Sequence, residues 1–398
     1  MTKSIDHSQA IILSGGGAYG AYEVGVMKAL FIGESPATGY RPLNPGIFTG
    51  TSVGAVNAAV LVSRPGVDLR SMIGFLESSW IDVISDNPHT CSNGVFRFRG
   101  DLFRYLDPQC LLSNPAQPFT EIASDGAFFA RDWFKRGVNF LMSSGERENR
   151  TLALFDLSSF ISAAPFKALV TKLVSLEGIR SSGRVLKIIA TNWETGELKV
   201  FGNADIGDEF GYDVIVGSAA IPGFFPPHSV AGQPYVDGGV VMNTPLKCAI
   251  QAGGNTLHVI YMDPDVQNIP LSKLTSTIET LDRVLAITSA TKTNEDIDTA
   301  AWINEGIEVV ERMLKGEVVP RTDMMVFLRV AAQLEGHLRD NIPYRKLTIH
   351  RYHPHDDLGG GALGLLNFGR DRMIALIERG FNDAMNHDCA VSHCIVPT

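Results

Sequence analysis

The sequence predicts an α/β protein built on a mainly parallel sheet. From residue 9 to about 65 the chain alternates strand, glycine turn, helix, short strand, turn and helix, which is the order of parallel strands joined by helices. The same alternation returns after residue 185. A chain of 398 residues is long enough to bury the core of one large domain or two coupled ones.

The first elements follow from local composition. The apolar run at residues 10–13 predicts a strand, and residues 21–32 predict a helix that is apolar nearly all round except for Glu23 and Lys28. Such a helix is expected to be buried against a sheet. A short strand at 46–49 precedes a helix at 54–62, whose small side chains permit close packing.

Residues 66 to about 155 interrupt this pattern and predict a largely helical insert. Aromatic and basic residues alternate in it: Phe96, Arg97, Phe98, Arg99, Phe103, Arg104, Tyr105, Phe128, Phe129, Arg131, Trp133, Phe134, Lys135, Arg136 and Phe140. Rings beside cations are typical of a surface that contacts a bilayer. They are equally typical of a small helical subdomain with an aromatic core and a solvated charged face.

The α/β pattern resumes with predicted strands at 185–191, 198–201, 235–237 and 257–261. Residues 271–340 are mostly helical in pattern, and a final helix is expected near 369–385. We therefore expect a functional domain at 9–262 and a mainly helical C-terminal region at 263–398 packed on it.

The composition and net charge of the chain disfavour some classes of binding partner. The formal net charge is −9, which disfavours nucleic acid and anionic bilayers as non-specific partners. The first residues are polar, and no apolar run approaches the roughly 18 residues of a spanning helix. The five cysteines are odd in number and scattered, as in a reducing compartment. We expect a cytoplasmic protein with no nucleic-acid partner and no transmembrane segment, peripheral to a membrane at most, and the oligomeric state stays open.

The clearest catalytic pattern is G-x-S-x-G at residues 50–54, which lies between a short predicted strand and a helix. In that setting the serine, here Ser52, sits on a sharp turn with its hydroxyl exposed. The flanking Gly50 and Gly54 avoid clashes across the turn. An ordinary strand-to-helix turn with a serine or threonine cap would have the same pattern.

A second glycine turn carries Gly15, Gly16, Gly17 and Gly20 in the pattern G-x-G-x-x-G. A dinucleotide site would need an acidic residue at the end of the next strand, about 20 residues further on, but Glu34 lies in a loop. The carboxyl ends of neighbouring parallel strands meet at one edge of a sheet. Backbone N–H groups of this turn could therefore form an oxyanion hole beside Ser52.

A nucleophilic serine also needs a base. The ten histidines offer no decisive choice. Asp237 follows a short predicted strand and precedes Gly238 and Gly239. An aspartate in that position is often only a turn residue.

Together the three motifs resemble the signature of the patatin-like phospholipase family: a glycine-rich oxyanion turn, a G-x-S-x-G elbow and a D-G-[GA] aspartate, in this order and spacing. Residues 188–196, 218–227 and 357–359 add further likeness. The resemblance implies a three-layer α/β/α fold with a mainly parallel central sheet, a largely helical insert and C-terminal helices. It implies a lipid acyl hydrolase, phospholipase A-like or lysophospholipase-like, that acts on lipid at a membrane or micelle surface.

For the site, the resemblance implies a Ser52–Asp237 dyad without an obligatory histidine. Gly15, Gly16 and Gly17 would supply oxyanion N–H groups, and Gly20, Gly50, Gly54, Gly238 and Gly239 would complete the motifs. Many family members carry Arg or Lys where this chain has Tyr19, whose ring cannot supply that charge. Because of this departure, the motifs support acyl-ester hydrolysis more strongly than they support a preference for phospholipids as substrates. Two alternatives remain: a Ser-His-Asp α/β-hydrolase, and a non-catalytic module that binds nucleotide or lipid.

Two histidine-rich stretches contain possible metal ligands. His350, His353 and His355 form the first, and His387, Cys389, His393 and Cys394 the second. Neither stretch has a familiar zinc spacing, and an ester hydrolase of this kind needs no metal. The sequence therefore predicts neither a metal nor a cofactor.

Overall fold

The computed structural model describes most of the chain outside the predicted insert. The described residues are 4–85, 164–207, 209–222, 224–262, 277–325, 346–359 and 361–397, with isolated helical positions at 123, 127, 130 and 134. Of the aromatic and basic residues of the insert, only Phe134 is among them, and its side chain is exposed. The two interpretations of the insert therefore concern residues outside the described part of the chain.

The elements alternate as the sequence predicts. The strands are β1 (Asp6–Leu13), β2 (Pro45–Thr51), β3 (Val185–Asn192), β4 (Leu198–Gly202), β5 (His228–Val230), β6 (Gln233–Asp237), β7 (Thr256–Ile260) and β8 (Thr348–Tyr352). The helices are α1 (Gly20–Ile32), α2 (Val53–Val62), α3 (Leu69–Ser79), α4 (Ala164–Leu173), α5 (Leu176–Ser181), α6 (Gly211–Ser218), α7 (Leu246–Gln251), α8 (Thr277–Leu314) and α9 (Arg370–Met385).

One sheet joins all eight strands. Its order is β5-β6-β3-β2-β1-β7-β8, and β4 also pairs with β3. The pairs β1–β2, β1–β7, β2–β3 and β7–β8 are parallel, whereas β4, β5 and β6 run antiparallel to their neighbours. The predicted α/β class with a mainly parallel sheet is confirmed.

Burial on both faces of the sheet produces the layers. In β1, Ile11 and Leu13 belong to one hydrophobic cluster, which includes α1 and α2. Ala10 and Ile12 belong to a second cluster, which includes residues of α7 and α8. Because successive strand residues point to opposite faces, helices cover both sides of the sheet, and the three-layer α/β/α prediction is confirmed.

The C-terminal region is less separate than the sequence suggests. The strand β8 extends the sheet beyond β7, with Leu257 beside Ile349 in the parallel register. Helix α9 packs against α1 so closely that a Cβ at Gly380 would overlap the carbonyl oxygen of Tyr22. The Tyr22 hydroxyl donates to Asp383 over 2.9 Å. Residues 346–385 are therefore built into the sheet and into one helical layer.

Within the described residues, no helix combines the length and the apolar character that crossing a bilayer requires.

Candidate active site

Ser52 occupies a strained turn between β2 and α2. Its backbone has φ 56° and ψ −126°, a region that a residue with a Cβ enters at a cost of about 1–3 kcal/mol. The turn closes so tightly that a Cβ at Gly50 would overlap the carbonyl oxygen of Gly54. A Cβ at Gly54 would lie 2.5 Å from the carbonyl oxygen of Leu13. The two glycines thus allow the strained geometry, which turns the serine out of the helix.

A second serine holds the turn in place. The N–H of Ser52 donates to the hydroxyl of Ser218, at the end of α6, over 3.0 Å. That hydroxyl donates in turn to the carbonyl oxygen of Ile189 over 2.6 Å. Because Ser218 lies far from Ser52 in sequence, no local pattern could assign it this supporting role.

Asp237 ends strand β6 beside β3, and its carboxylate is buried. Oδ1 accepts a 2.7 Å hydrogen bond from the N–H of Gly239. The backbone N–H of Asp237 donates to Ala220 over 2.9 Å. The chain can approach β3 here only because residue 238 is glycine: a Cβ would lie 2.5 Å from the carbonyl oxygen of Ile189.

The electrostatics of Asp237 fit a base. Burial raises its pKa to about 6, and hydrogen bonding from the Ser52 side chain and from the Gly239 N–H partly opposes that rise. Oδ2 is buried and has no fully formed hydrogen bond to a described residue. Catalytic hydrogen bonds are often loose before substrate binds. At neutral pH this carboxylate is therefore ionised, beside the serine, and able to accept a proton.

The first glycine turn lies against the elbow. A Cβ at Gly15 would lie 2.9 Å from the Cβ of Ser52, and a Cβ at Gly20 would lie 2.6 Å from a methyl group of Val53. The sequence prediction that the two glycine turns meet is thus matched by direct contact. Gly17 has a φ of 56° and lines the same cavity as Ser52.

The three glycines predicted as oxyanion donors differ in their hydrogen bonding. The N–H of Gly15 is already engaged by Asn243, 3.1 Å from its Oδ1 and 3.3 Å from its backbone oxygen. Within the described residues, the N–H groups of Gly16 and Gly17 have no acceptor. These two donors are available to a developing oxyanion.

Asn243 connects the glycine turn to the aspartate motif. Its side-chain amide donates to the carbonyl oxygen of Gly15 over 3.3 Å. A Cβ at Gly239 would lie 2.9 Å from its Oδ1 and 3.0 Å from Oδ1 of Asp237. Asn243 was not predicted from the sequence, since its only signal is a position shortly after the Asp-Gly-Gly motif.

An apolar cavity opens beside Ser52. It is lined by Gly17, Ser52, Val53, Val56, Trp80, Ile84, Phe166, Leu169, Ala219, Ile221, Phe225, Leu365, Leu366 and Phe368. Aside from the serine, its walls are apolar side chains and one glycine. A hydrocarbon chain is the ligand that such a lining accommodates.

A buried polar chain anchors one wall of the cavity. The indole N–H of Trp80 donates to Asn57 over 2.8 Å, and the Asn57 amide donates to Glu23 over 2.9 Å. Burial raises the pKa of Glu23 well above its usual value. Trp80 also stacks on Phe368, with ring centroids 5.9 Å apart. The helices α1 and α2 and the C-terminal region thus contribute to one wall.

Tyr19 points toward the C-terminal region. Its hydroxyl donates to the carbonyl oxygen of Gly359 over 2.9 Å, and the Arg372 guanidinium lies 5.4 Å from the centre of its ring. A positive charge therefore stands beside the glycine turn, although the turn itself carries a tyrosine.

The histidines that the structure describes do not converge on Ser52. In the described part of the chain none of them lines the cavity. His228 bonds to Asp213 over 2.7 Å. His258 stacks on His350 in the sheet. His89 and His337 lie outside the described residues.

Comparison with known proteins agrees with these motifs. The model of the family described as patatin-like phospholipase matches residues 11–250. The search of curated proteins returned no match. Among solved structures, the chain is similar to the crystal structure of VipD from Legionella pneumophila, with 15% identity and a TM-score of 0.34 over 94% of this chain and 67% of VipD. The family match covers more than half of the chain and all three motifs, and the chain therefore belongs to the patatin-like phospholipase family.

Proposed function

We propose that this protein hydrolyses the fatty-acyl esters of membrane lipids through a Ser52–Asp237 dyad. Membership in its family supports lipid acyl hydrolysis. The observation that carries the dyad is a strained serine that lines an apolar cavity, beside a buried carboxylate whose pKa is raised to about 6.

The first half of the reaction forms an acyl-enzyme. Asp237 accepts the hydroxyl proton of Ser52 while the serine oxygen bonds to the ester carbonyl carbon. The negative charge that develops on the carbonyl oxygen is stabilised by the N–H groups of Gly16 and Gly17 and by the N-terminus of α2. The intermediate then expels the alcohol, which leaves with the proton held by Asp237.

The second half releases the acid. Asp237 takes a proton from a water molecule, whose oxygen attacks the acyl carbon. The bond to Ser52 breaks, and the proton returns to the serine oxygen. The products are a lysolipid or alcohol from the first half and a fatty acid from the second. Every proton has a donor and an acceptor without a histidine.

Of the three predicted glycine donors, this proposal gives the direct role to Gly16 and Gly17. Gly15 keeps its bond to Asn243 and is glycine because Ser52 lies against it. Glycine is needed at five further motif positions because a Cβ there would lie less than 3.0 Å from a neighbouring atom: Gly20, Gly50, Gly54, Gly238 and Gly239.

The decisive experiment combines a covalent probe with a lipid assay on the full-length chain. A fluorophosphonate should form an adduct that peptide mapping locates at Ser52, since only an activated hydroxyl reacts. Phosphatidylcholine vesicles and lysophosphatidylcholine micelles should release fatty acid. Labelling without lipid turnover would restrict the protein to other acyl esters. The absence of both would favour a non-catalytic binding module.

The apolar cavity predicts where acyl-chain length is selected. Replacing Leu169 with tryptophan adds bulk to the cavity wall and should reduce kcat/KM for a palmitoyl ester by about 10- to 100-fold relative to a butyryl ester. The measurement is the ratio of kcat/KM for the two esters.

The matched control for Leu169→Trp is Ala168→Trp. Ala168 is the neighbouring residue on α4 and is exposed, so the same ring is added outside the cavity. An unchanged ratio in Leu169→Trp, or an equal change in Ala168→Trp, would contradict the assignment of this cavity to the acyl chain.

A further inference from the structure

A cluster of histidine and cysteine side chains lies outside the active site, between β8 and the segment that follows α9. His350 belongs to β8, and His387, Cys389 and Cys394 follow the helix. One nitrogen or sulfur atom from each residue lies within 4.8 Å of the others. None of the four lines the apolar cavity.

Three separations within this cluster are close to those of a tetrahedral metal site. Cys389 Sγ lies 3.5 Å from His350 Nδ1 and 3.6 Å from His387 Nε2, and Cys394 Sγ lies 3.3 Å from His387 Nε2. In a tetrahedral zinc site, bonds of about 2.3 Å to sulfur and 2.0–2.1 Å to nitrogen place those atoms about 3.5 Å apart. Three of the donor separations therefore already match those that zinc requires, and the remaining pairs lie within 4.8 Å.

The backbone holds the cluster together. Ile349 and Ile395 exchange two backbone hydrogen bonds of 2.8 and 2.9 Å, which tie the C-terminal segment to β8. The N–H of Cys394 donates to Cys389 over 2.9 Å and closes the loop between the two cysteines. His393 has a φ of 50°, which reverses the chain just before Cys394. This folding brings both sulfur atoms to the same side as His350.

Groups around the cluster resemble the outer contacts of metal ligands. The N–H of Arg351 donates to Cys394 Sγ over 3.3 Å, a bond that stabilises a thiolate. His258 stacks on His350 with ring centroids 5.1 Å apart. His350 and His387 are both buried, whereas Cys389 and Cys394 are free thiols at intermediate exposure. A cation has a route in through the cysteines, and the imidazoles are fixed in orientation.

We propose that His350, His387, Cys389 and Cys394 bind one zinc ion in a structural site. Two thiolates and two imidazoles in tetrahedral arrangement are the donor set that zinc favours. Four protein ligands complete the tetrahedron and leave no open position for a substrate or water. On binding, the two thiols release their protons.

The position of the site indicates its role. Helix α9 begins just after Phe368, which stacks on Trp80 in the cavity wall, and ends just before His387. Zinc would fasten the far end of α9 to β8. The ion stabilises the C-terminal layer, which contributes the wall formed by Leu365, Leu366 and Phe368.

The sequence prediction of no metal depended on spacing within each histidine-rich stretch. The structure combines the two stretches: one ligand comes from the first and three from the second. His353, His355 and His393 are not among the four ligands.

The test is metal binding by the full-length protein, kept reduced throughout. Protein depleted of metal should take up one zinc per chain, and cobalt(II) in its place should give the visible absorption of tetrahedral coordination with sulfur-to-cobalt charge-transfer bands. Cys389→Ser and Cys394→Ser should each lose stoichiometric zinc. Removing zinc with a chelator should lower the Tm of the wild type.

Two controls separate ligands from neighbours. His393→Asn changes an exposed histidine beside Cys394, and asparagine tolerates its positive φ. Cys248→Ala removes a buried thiol in α7. Both should bind zinc as the wild type does. Failure of the reduced wild type to take up zinc or cobalt, or full zinc binding by a Cys389→Ser/Cys394→Ser double variant, would overturn the proposal. The cobalt spectrum of the wild type tests for a tetrahedral site with sulfur ligands even if a variant fails to fold.

Discussion

Replacing Ser52 with alanine is expected to lower kcat/KM for acyl esters by about 10⁴-fold or more, because the nucleophile is lost while the cavity and the oxyanion donors remain. Fatty-acid release from vesicles measures the loss, and fluorophosphonate labelling should vanish with it. The fold should persist, since alanine removes one oxygen and retains the backbone N–H bond to Ser218.

The strain at Ser52 provides a control that an ordinary turn residue would not. Ser52→Gly should be equally inactive, yet its Tm should rise by a few degrees. Glycine relieves a backbone strain of about 1–3 kcal/mol. This gain outweighs the loss of about 0.5–1 kcal/mol that glycine causes by increasing the conformational entropy of the unfolded chain. Activity that survives in folded Ser52→Ala would exclude this serine as the nucleophile. A lower Tm in Ser52→Gly would show that the elbow is not strained.

Replacing Asp237 with asparagine is expected to reduce kcat/KM by about 10²–10⁴-fold, the usual contribution of a general base. Asparagine is nearly isosteric, and its oxygen can still accept the 2.7 Å hydrogen bond from Gly239. The change therefore removes the base while retaining the turn. Steady-state kinetics on a soluble acyl ester, together with the rate of fluorophosphonate labelling, measure the effect.

From the raised pKa of Asp237 we expect both the activity and the stability of the protein to depend on pH. The carboxylate can accept a proton only when ionised, so kcat/KM of the wild type should rise with pH through about 6 and then level off. The pKa of this carboxyl group in the unfolded chain is near 3.9. Between about pH 4 and pH 6 the folded state therefore binds more protons at Asp237 than the unfolded state does. The contribution of Asp237 to stability is therefore present below about pH 4 and is lost as pH rises toward 6. Asp237→Asn should remove both dependences.

His228→Asn is the matched control for Asp237→Asn. Among the described residues His228 has the clearest carboxylate partner, Asp213, and it would be a natural choice of base in a Ser-His-Asp hydrolase. We expect this variant to keep its activity. The opposite result, an inactive His228→Asn and an active Asp237→Asn, would reject the dyad in favour of the α/β-hydrolase alternative.

The strands and helices near the N-terminus were predictable because their signals are local. The apolar run at 10–13 and the G-x-S-x-G pattern at 50–54 place a strand end and a turn within a few residues, and β1, β2 and α2 lie there in the structure. Residues 10–13 of β1 and the whole of β2 are buried, as expected of central parallel strands covered on both faces.

Strand β8 was missed because the decisive signal is not local. Residues 348–352 include two charged or titratable side chains, His350 and Arg351, and the histidines suggested a ligand cluster in place of a strand. Only pairing with β7 shows that the stretch is part of the sheet. The short strand β5 and the helices α4 to α6 were likewise not predicted, since none has a long periodic pattern.

The fold class and the family were predictable from the sequence, as were the candidate serine, aspartate and glycines, because each motif needs particular residues within a few positions of one another. The folded structure shows which of the described glycine N–H groups lack an acceptor, and it places Ser218 and Asn243 in contact with the motifs. It also brings His350 close to Cys389, 39 residues further along the chain. Those properties depend on distances between segments that are remote in the chain. The packing of the helices against the sheet sets these distances, and no local sequence pattern contains them.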